Sequence, residues 1–411
     1  MPVPETVPVP EQGLTPEMII GRARALIPAI RDQQDQAERI GHHTAELDRQ
    51  FTAAGFYRML QPRRFGGYEF DLPTFWQAML AVSTGDPGTG WALTLGAHHA
   101  LGIGAYFTEA GQRDIFGPSG DFRAPHRAPP MGTAERVRKG GGEAGGFLVS
   151  GTWDYCSGIA HATHFMGNAL VTGTTDRITA VLPRDEVTVL DDWGDGRMLG
   201  MNSSGSNSVR VDGVFVPAHR TAPADWTHGS EQAPGAALHG NPLYCGRIYS
   251  VYHAGLVIPV IGAAWAALDE FEQIITTKLT YFPPQVPRYT HPDHQRPFGQ
   301  ALALADTAEA IVLRAGERYM ELARRWVRTG QPFSREDDVR LYAMIQQAGQ
   351  LAAAAVEVIF AAASSSSARR GTRLQRYYRD VAMYRGHIAA QHLTTAGELA
   401  RVHFGLPDSL F

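Results

Sequence analysis

From Thr15 to about Phe116 apolar residues recur at three- and four-residue spacing, with Ile19, Ala23, Leu26, Ile27 and Ile30 as the first such row; this spacing predicts helices. A helix beginning after Ala45 ends at a glycine and gives way to an extended Leu-Gln-Pro segment and the turn Phe65-Gly66-Gly67. Another covers Leu72 to Thr84. The stretch GDPGTGWALTLGAHHALGIGAYF then predicts a small-residue helix, whose few bulky side chains imply close packing against a flat surface. Near Arg123 the pattern changes to short alternating runs (GFLVSGTW, NALVTG, ITAVLP, SVRVDGVFVP) between Gly- and Pro-rich turns, the mark of strands. From Asn241 long helical patterns return, broken at the Pro-rich segment 281–299 and at 329–337. The run Ser364 to Ser367 sits in helical context and reads as a bend.

The expected organisation is a disordered tail over 1–14, a helical domain over 15–122, a β-domain over 123–235 and a helical bundle over 236–411. A small β-domain between two helical ones, without a GxGxxG after a strand, does not predict a nucleotide-binding α/β fold. The chain has 411 residues, more than one compact core usually organises. Its 44% hydrophobic and 19% charged residues suit a large globular interior. A net charge of −4 argues against non-specific nucleic-acid binding. Two cysteines without a CxxC pair predict neither a disulfide framework nor cysteine-bound zinc, and favour a reducing cytoplasm. The N-terminus lacks the basic and apolar regions of a signal peptide. The apolar stretch Val251 to Leu268 contains His253 and Pro259 and runs into DEFEQIITTKL, so a buried core helix is expected rather than a membrane span.

Several residues stand out chemically. On a helix through 374–392, Asp380, Tyr384, His387 and Gln391 fall at steps of 0, 4, 7 and 11, a narrow polar stripe that predicts a cavity-facing surface. His98 and His99 are adjacent on the small-residue helix and would point about 100° apart, so one of them is expected to be structural. His161 and His164 have H-x-x-H spacing but no helix and no acid nearby in sequence, and no metal site is predicted from them. Cys156 has no Lys or Arg within four residues, so a reactive thiolate is not expected.

Four segments, spread over about Ala45 to Gly405, resemble the acyl-CoA dehydrogenase superfamily, and within it the two-component flavin-dependent monooxygenases of the 4-hydroxyphenylacetate 3-hydroxylase oxygenase type. They are AGFYRMLQPRRFGG (54–67), GFLVSGTWDYCSGIAHATHFMGNAL (146–170), DDWGDGRMLGMNSSGSNSVRVDGVFVPAHR (191–220) and LQRYYRDVAMYRGHIAAQH (374–392). The third is the most specific. The resemblance implies an α+β, mostly α fold: an N-terminal helical domain, a central β-barrel or sandwich, and a C-terminal four-helix bundle.

It also implies a site. An isoalloxazine ring is a flat apolar plate with a polar rim, which needs apolar faces and a few hydrogen bonds. Trp153 would offer a face, the Cys156-Ser157-Gly158 turn would lie against the reactive edge, and Ser204, Ser206 and Asn207 would contact the ribityl chain or phosphate. Arg296, with Arg288, is the candidate cation, reaching a neighbouring subunit. His387 and His98 are the expected acid–base residues and Ser157 the group that steadies the reduced ring. Where fatty-acyl dehydrogenases of this superfamily carry a catalytic Glu, this chain has Ile388, which counts against acyl-CoA dehydrogenation. The expected reaction is hydroxylation of a small aromatic or phenolic compound by reduced FMN or FAD and O2, through a C4a-hydroperoxide. A separate reductase would supply the flavin, since no nicotinamide-binding unit is present. Alternatives are N- or S-oxygenation on the same fold, a flavin dehydrogenase, or a non-catalytic scaffold. A homotetramer is expected.

Overall fold

Several helices begin at a residue whose side chain caps them. In a computed structural model, which describes residues 6–138, 145–224 and 232–407, four short helices come first: α1 (Pro16–Ala25), α2 (Ile27–Asp32), α3 (Gln34–Ile40) and α4 (Ala45–Ala54). Thr15 and Thr44 cap α1 and α4 by accepting from Met18 and Leu47 N–H. The helices α5 (Leu72–Gly85) and α6 (Pro87–Tyr106) start at Asp71 and Asp86, each followed by proline within the first turn, a pre-formed start. A further helix, α7 (Glu109–Phe116), ends the N-terminal segment.

One seven-stranded sheet follows: β1 (His126–Val137), β2 (Gly146–Trp153), β3 (His164–Val171), β4 (Arg177–Pro183), β5 (Thr188–Val189), β6 (Val209–Pro217) and β7 (Thr221–Pro223). Its spatial order is β5-β6-β2-β1-β3-β4-β7, antiparallel except for the β1–β3 pair. The chain returns to helices with α8 (Pro234–His239), α9 (Tyr249–Thr277), α10 (Pro292–Thr329), α11 (Arg335–Ala362), α12 (Arg373–Arg385) and α13 (His392–His403).

Two expectations change. Residues 6–14 are not a loose tail: Val7 N–H donates to Arg64 O at 2.9 Å, Val7 bridges to Phe65, and Val7 and Leu14 are buried. An apolar side chain that finds a groove gains more than its ordering costs; residues 1–5 lie outside the described set. The two helical segments are also not separate bodies. Ile19, Phe51 and Trp76 share one core with Phe271, Tyr319 and Ile345. The helix α9 is the centre of that core, with Ala254, Val257, Ile258, Val260 and Ile261 all buried, so it is a core helix despite its apolar length. Ser364 to Ser367 form a tight turn between α11 and α12.

Trp153 anchors the sheet's own core. It is 0% exposed, donates Nε1–H to Asn168 O at 2.9 Å and meets the Phe165 ring edge-on at 5.3 Å. Glycines let strands close around it: a Cβ on Gly132 would come within 2.2 Å of the indole. Gly132→Ala should therefore destabilise by about 1–3 kcal/mol through overpacking. Adding Trp153→Phe should recover part of that loss. Denaturation midpoints of the two variants test this, and an unchanged midpoint for Gly132→Ala would contradict it.

Candidate active site

The site is assembled where the start of α6 meets two loops of the sheet domain. Asp86 caps α6 through Thr89 N–H at 2.8 Å and also accepts the Ser203 hydroxyl at 2.5 Å. One turn on, Trp91 sends its indole N–H to Ser157 Oγ at 3.1 Å. Ser157 Oγ lies 2.7 Å from Ser206 Oγ, which lies 2.6 Å from Ser204 Oγ. Gly158 N–H donates to the carbonyls of Ser204 and Gly205, locking the two loops together. Three of the five non-glycine residues with positive φ among the described residues, Tyr155, Asp195 and Met201, sit in these loops; such strain persists where surrounding structure enforces it and clusters at functional sites.

The expected residues divide. Ser157, Ser204 and Ser206 come together as one buried hydroxyl chain. Trp153 does not join them, because it fills the sheet core instead of facing a plate. Cys156 is buried, its thiol bonded to Trp153 O at 3.2 Å and pushed up by burial. Asn207 spends its side-chain amide on Leu190 O at 2.9 Å, and its carbonyl accepts from Cys156 N–H. Arg296 is 79% exposed on α10 and pairs with Asp293 at 3.6 Å; within this chain it is not joined to the serine chain. Tyr155 is the half-exposed ring of this turn, with the Arg127 guanidinium 5.9 Å from its centroid and Trp193 edge-on at 5.9 Å. A half-open aromatic beside a chain of hydroxyls and a strained turn fits a flat ring with a polar rim.

The polar stripe on the C-terminal helix is broken. Here α12 stops at Arg385, since Gly386 gives poor helical continuity and His387 N–H turns back to Tyr384 O. Asp380 points into the sheet-side loop and accepts Met201 N–H at 2.5 Å, while Tyr384 bonds to Ala389 O. His387 leaves the helix and meets Trp91 edge-on at 5.3 Å, joining the Ser157 group. Burial, with the charge of Arg127, pushes its pKa down to about 4. Its Nδ1 accepts Ala389 N–H at 3.1 Å, so the neutral ring carries its proton on Nε2 and presents a donor there.

His98 and His99 are both buried, and neither is an isolated structural residue. Their Nε2 atoms are 3.0 Å apart, and His98 stacks on Tyr252 at 4.7 Å with an interplanar angle of 6°. His126 on β1 and His253 on α9 complete the group. Burial pushes His98 to about 3, His126 and His253 to about 4, and His99 well below the usual range. His161 sits with His43 and Asp48, whose carboxylate is met by Arg123 at 3.0 Å and by the Tyr57 hydroxyl. Sequence reading missed Asp86, Trp91, His126 and His253 as site residues. Only the first had a local signal, the Asp-Pro-Gly that starts α6.

This helix–sheet–helix arrangement is the acyl-CoA dehydrogenase-type fold, and residues 254–392 match the family model "Acyl-CoA dehydrogenase, C-terminal domain". Within that class the chain is similar to oxygenase subunits of flavin-dependent monooxygenases. It is 28% identical over 404 residues to a "Pigment production hydroxylase" of a Rhodococcus species, covering 96% of this chain and 98% of that one. It is 28% identical over 251 residues to the "Flavin-dependent monooxygenase, oxygenase subunit HsaA" of Rhodococcus jostii, 60% of this chain and 63% of that protein. The crystal structure of XiaF from a Streptomyces species in complex with FADH2 and glycerol superposes with a TM-score of 0.84 at 21% identity, covering 96% of this chain and 97% of that one.

Asp380 yields a pH prediction. Burial first, and Asp86 second, raise its carboxyl to about 8. A carboxyl whose folded pKa exceeds its unfolded value favours the fold at low pH, and that contribution is lost as pH rises from about 4 to about 8. Asp380→Asn keeps a neutral acceptor for Met201 N–H. Its melting temperature should therefore rise relative to the parent between pH 5 and pH 8.5. Parallel melting curves that keep a constant separation across that range would refute the assignment.

Proposed function

We propose that the chain is the oxygenase component of a two-component flavin-dependent monooxygenase. It takes reduced FMN or FAD from a separate reductase, together with O2, and hydroxylates a small aromatic or phenolic substrate. One observation carries this reading: Trp91 links the Ser157 hydroxyl chain to His387, on the same helix that bears the buried imidazoles. The names of its relatives, a hydroxylase and a flavin-dependent monooxygenase subunit, support it.

When bound, reduced flavin supplies the electrons that activate oxygen. Ser157, Ser204 and Ser206 would hold the flavin by hydrogen bonds, and Tyr155 would pack against it. His387 donates from Nε2–H toward oxygen or the substrate. The buried walls contributed by α6 and α9 exclude water, which keeps reduced oxygen from escaping as peroxide. The chain acts as a homotetramer in a reducing cytoplasm, with Arg288 or Arg296 of a neighbouring subunit meeting the flavin phosphate. Exposed Leu393, Phe404 and Ile388 give it apolar surface for such contacts, and both cysteines are free and buried.

Anaerobic titration with reduced FMN and reduced FAD, then mixing with oxygenated buffer in a stopped-flow diode-array spectrometer, tests the reading. A near-ultraviolet transient distinct from oxidised and reduced flavin is expected. Its lifetime should fall about tenfold or more in Ser157→Ala, the worth of one buried hydrogen bond. Reoxidation without any transient, with oxidised FAD held tightly, would overturn the proposal. Light scattering should give the mass of four chains.

A further inference from the structure

Among the described residues, one group of histidines and acids brings its donor atoms within 4.8 Å of one another: His43, Asp48 and His161. The sequence places no acid near His161, but the fold does. Thr44 caps α4, so His43 stands just before that helix and Asp48 lies in its first turn. His161 ends the short helical turn Ile159–His161 that follows Gly158. The two imidazoles stack at 4.2 Å, and His43 is 1% exposed.

The polar atoms of this group are not satisfied by one another. His161 Nε2 lies 2.8 Å from the His43 carbonyl, which can only accept, so the neutral ring carries its proton on Nε2 and a lone pair on Nδ1. That lone pair stands 4.0 Å from Asp48 Oδ2, another acceptor. Neither ring nitrogen of His43 has a hydrogen-bond partner; its Nε2 is 3.5 Å from Asp48 Oδ1, too long for a normal bond. Burial keeps both rings neutral at ordinary pH. Buried polar atoms normally find partners. A cation set between two imidazoles and a carboxylate supplies one to all three.

The spacing and the donor set narrow the choice of cation. Ligands bound to a tetrahedral zinc ion lie about 3.4 Å from each other, close to the 3.5 Å and 4.0 Å found here. Imidazole with carboxylate suits such an ion, whereas magnesium and calcium select oxygen alone. Asp48 also accepts from Arg123 at 3.0 Å and from the Tyr57 hydroxyl at 2.7 Å. These use two of its about four lone-pair positions and fix the carboxylate, as outer partners of metal ligands do. The bond from His161 Nε2–H to a backbone carbonyl is an arrangement of the same kind.

We propose that His43, Asp48 and His161 bind one divalent transition ion of the zinc class, with water in the fourth position. The ion fastens α4 to the turn that carries Ser157, beside the bridge of His42 to Ser204 and the bond from Gly205 N–H to Gly41 O at 2.8 Å. Its role is structural, and it stands apart from the oxygenase reading.

Purified full-length protein is stripped with a chelator, and zinc or cobalt(II) alone is added back. The stripped chain should take up one ion, show the visible bands of tetrahedral cobalt and melt at a higher temperature. Affinity should fall about a hundredfold or more in His43→Gln and in His161→Gln, while His164→Gln binds as the parent does. Should a variant fail to fold, X-ray absorption of the zinc-loaded parent still decides: two imidazoles and oxygen at about 2.0 Å are expected. No uptake means that water or a proton fills the gap, and the proposal fails. Uptake with one histidine ligand or none, or uptake that is equal in the parent, His43→Gln and His161→Gln, places the ion elsewhere and overturns it.

Discussion

One buried carboxyl holds the active region together. Asp86 is the cap of α6 and the acceptor of Ser203 Oγ, so a helix of the N-terminal segment and a loop of the sheet domain share a single anchor. Gly88 lies directly beneath that contact; a Cβ there would fall 2.2 Å from Ser203 Oγ. Everything placed by α6, from Trp91 to His99, is thereby indexed to the serine loop. Capping bonds of this kind contribute about 1 kcal/mol to a helix, but here the same oxygen also sets distances between domains. On the other side of the loop, Asp380 takes Met201 N–H, and Arg376 and Arg379 tie α12 back to Glu38. The loop is clamped from two directions, which is how Met201 is kept at a positive φ.

The second organising effect is desolvation. Five imidazoles, from His98, His99, His126, His253 and His387, lie in one region, and for each of them burial is the largest cause disfavouring the charged form. Protonating one would place charge beside the others in a medium of low polarizability. A cluster of neutral rings is then a set of fixed donors and acceptors, and the backbone decides which is which. Ala389 N–H makes His387 a donor at Nε2, and Tyr249 O makes His253 Nδ1 a donor, leaving its Nε2 as an acceptor.

Much of the fold was legible in the chain. The helix starts at Asp71 and Asp86, the alternating strands and the return to long helices all have local signals, and they agree with the structure. The serine loop could also be read, since Gly and Ser in such density suit close backbone approach. What sequence could not give was direction. Trp153 lies in a motif that implies a flavin face, yet period-two alternation and the surrounding glycines turn it into the sheet. The stripe through His387 assumed a helix running to Gln391, and one glycine at 386 ended it. Asp86, Trp91 and His126 were invisible as site residues because each earns its role from a partner 40 to 120 residues away, Asn168, Ser157 and Ser203 among them.

The chemistry of proton abstraction separates the two readings that share this fold. A flavin dehydrogenase acting on a thioester needs an ionised carboxylate aimed at the substrate. At the serine loop, among the described residues, the buried carboxyls Asp86 and Asp380 are already committed: Asp86 to Ser203 and Thr89, and Asp380 to Met201 with its proton held to about pH 8. Ile388, where the superfamily's catalytic glutamate would stand, is exposed and turned outward on the short helix after α12. The groups left to manage protons are neutral imidazoles and hydroxyls, which hand over hydrogen bonds readily and strip carbon acids poorly. Such a set suits a reaction in which oxygen arrives activated and the protein has only to place a hydroxylated ring, exclude water and donate one proton.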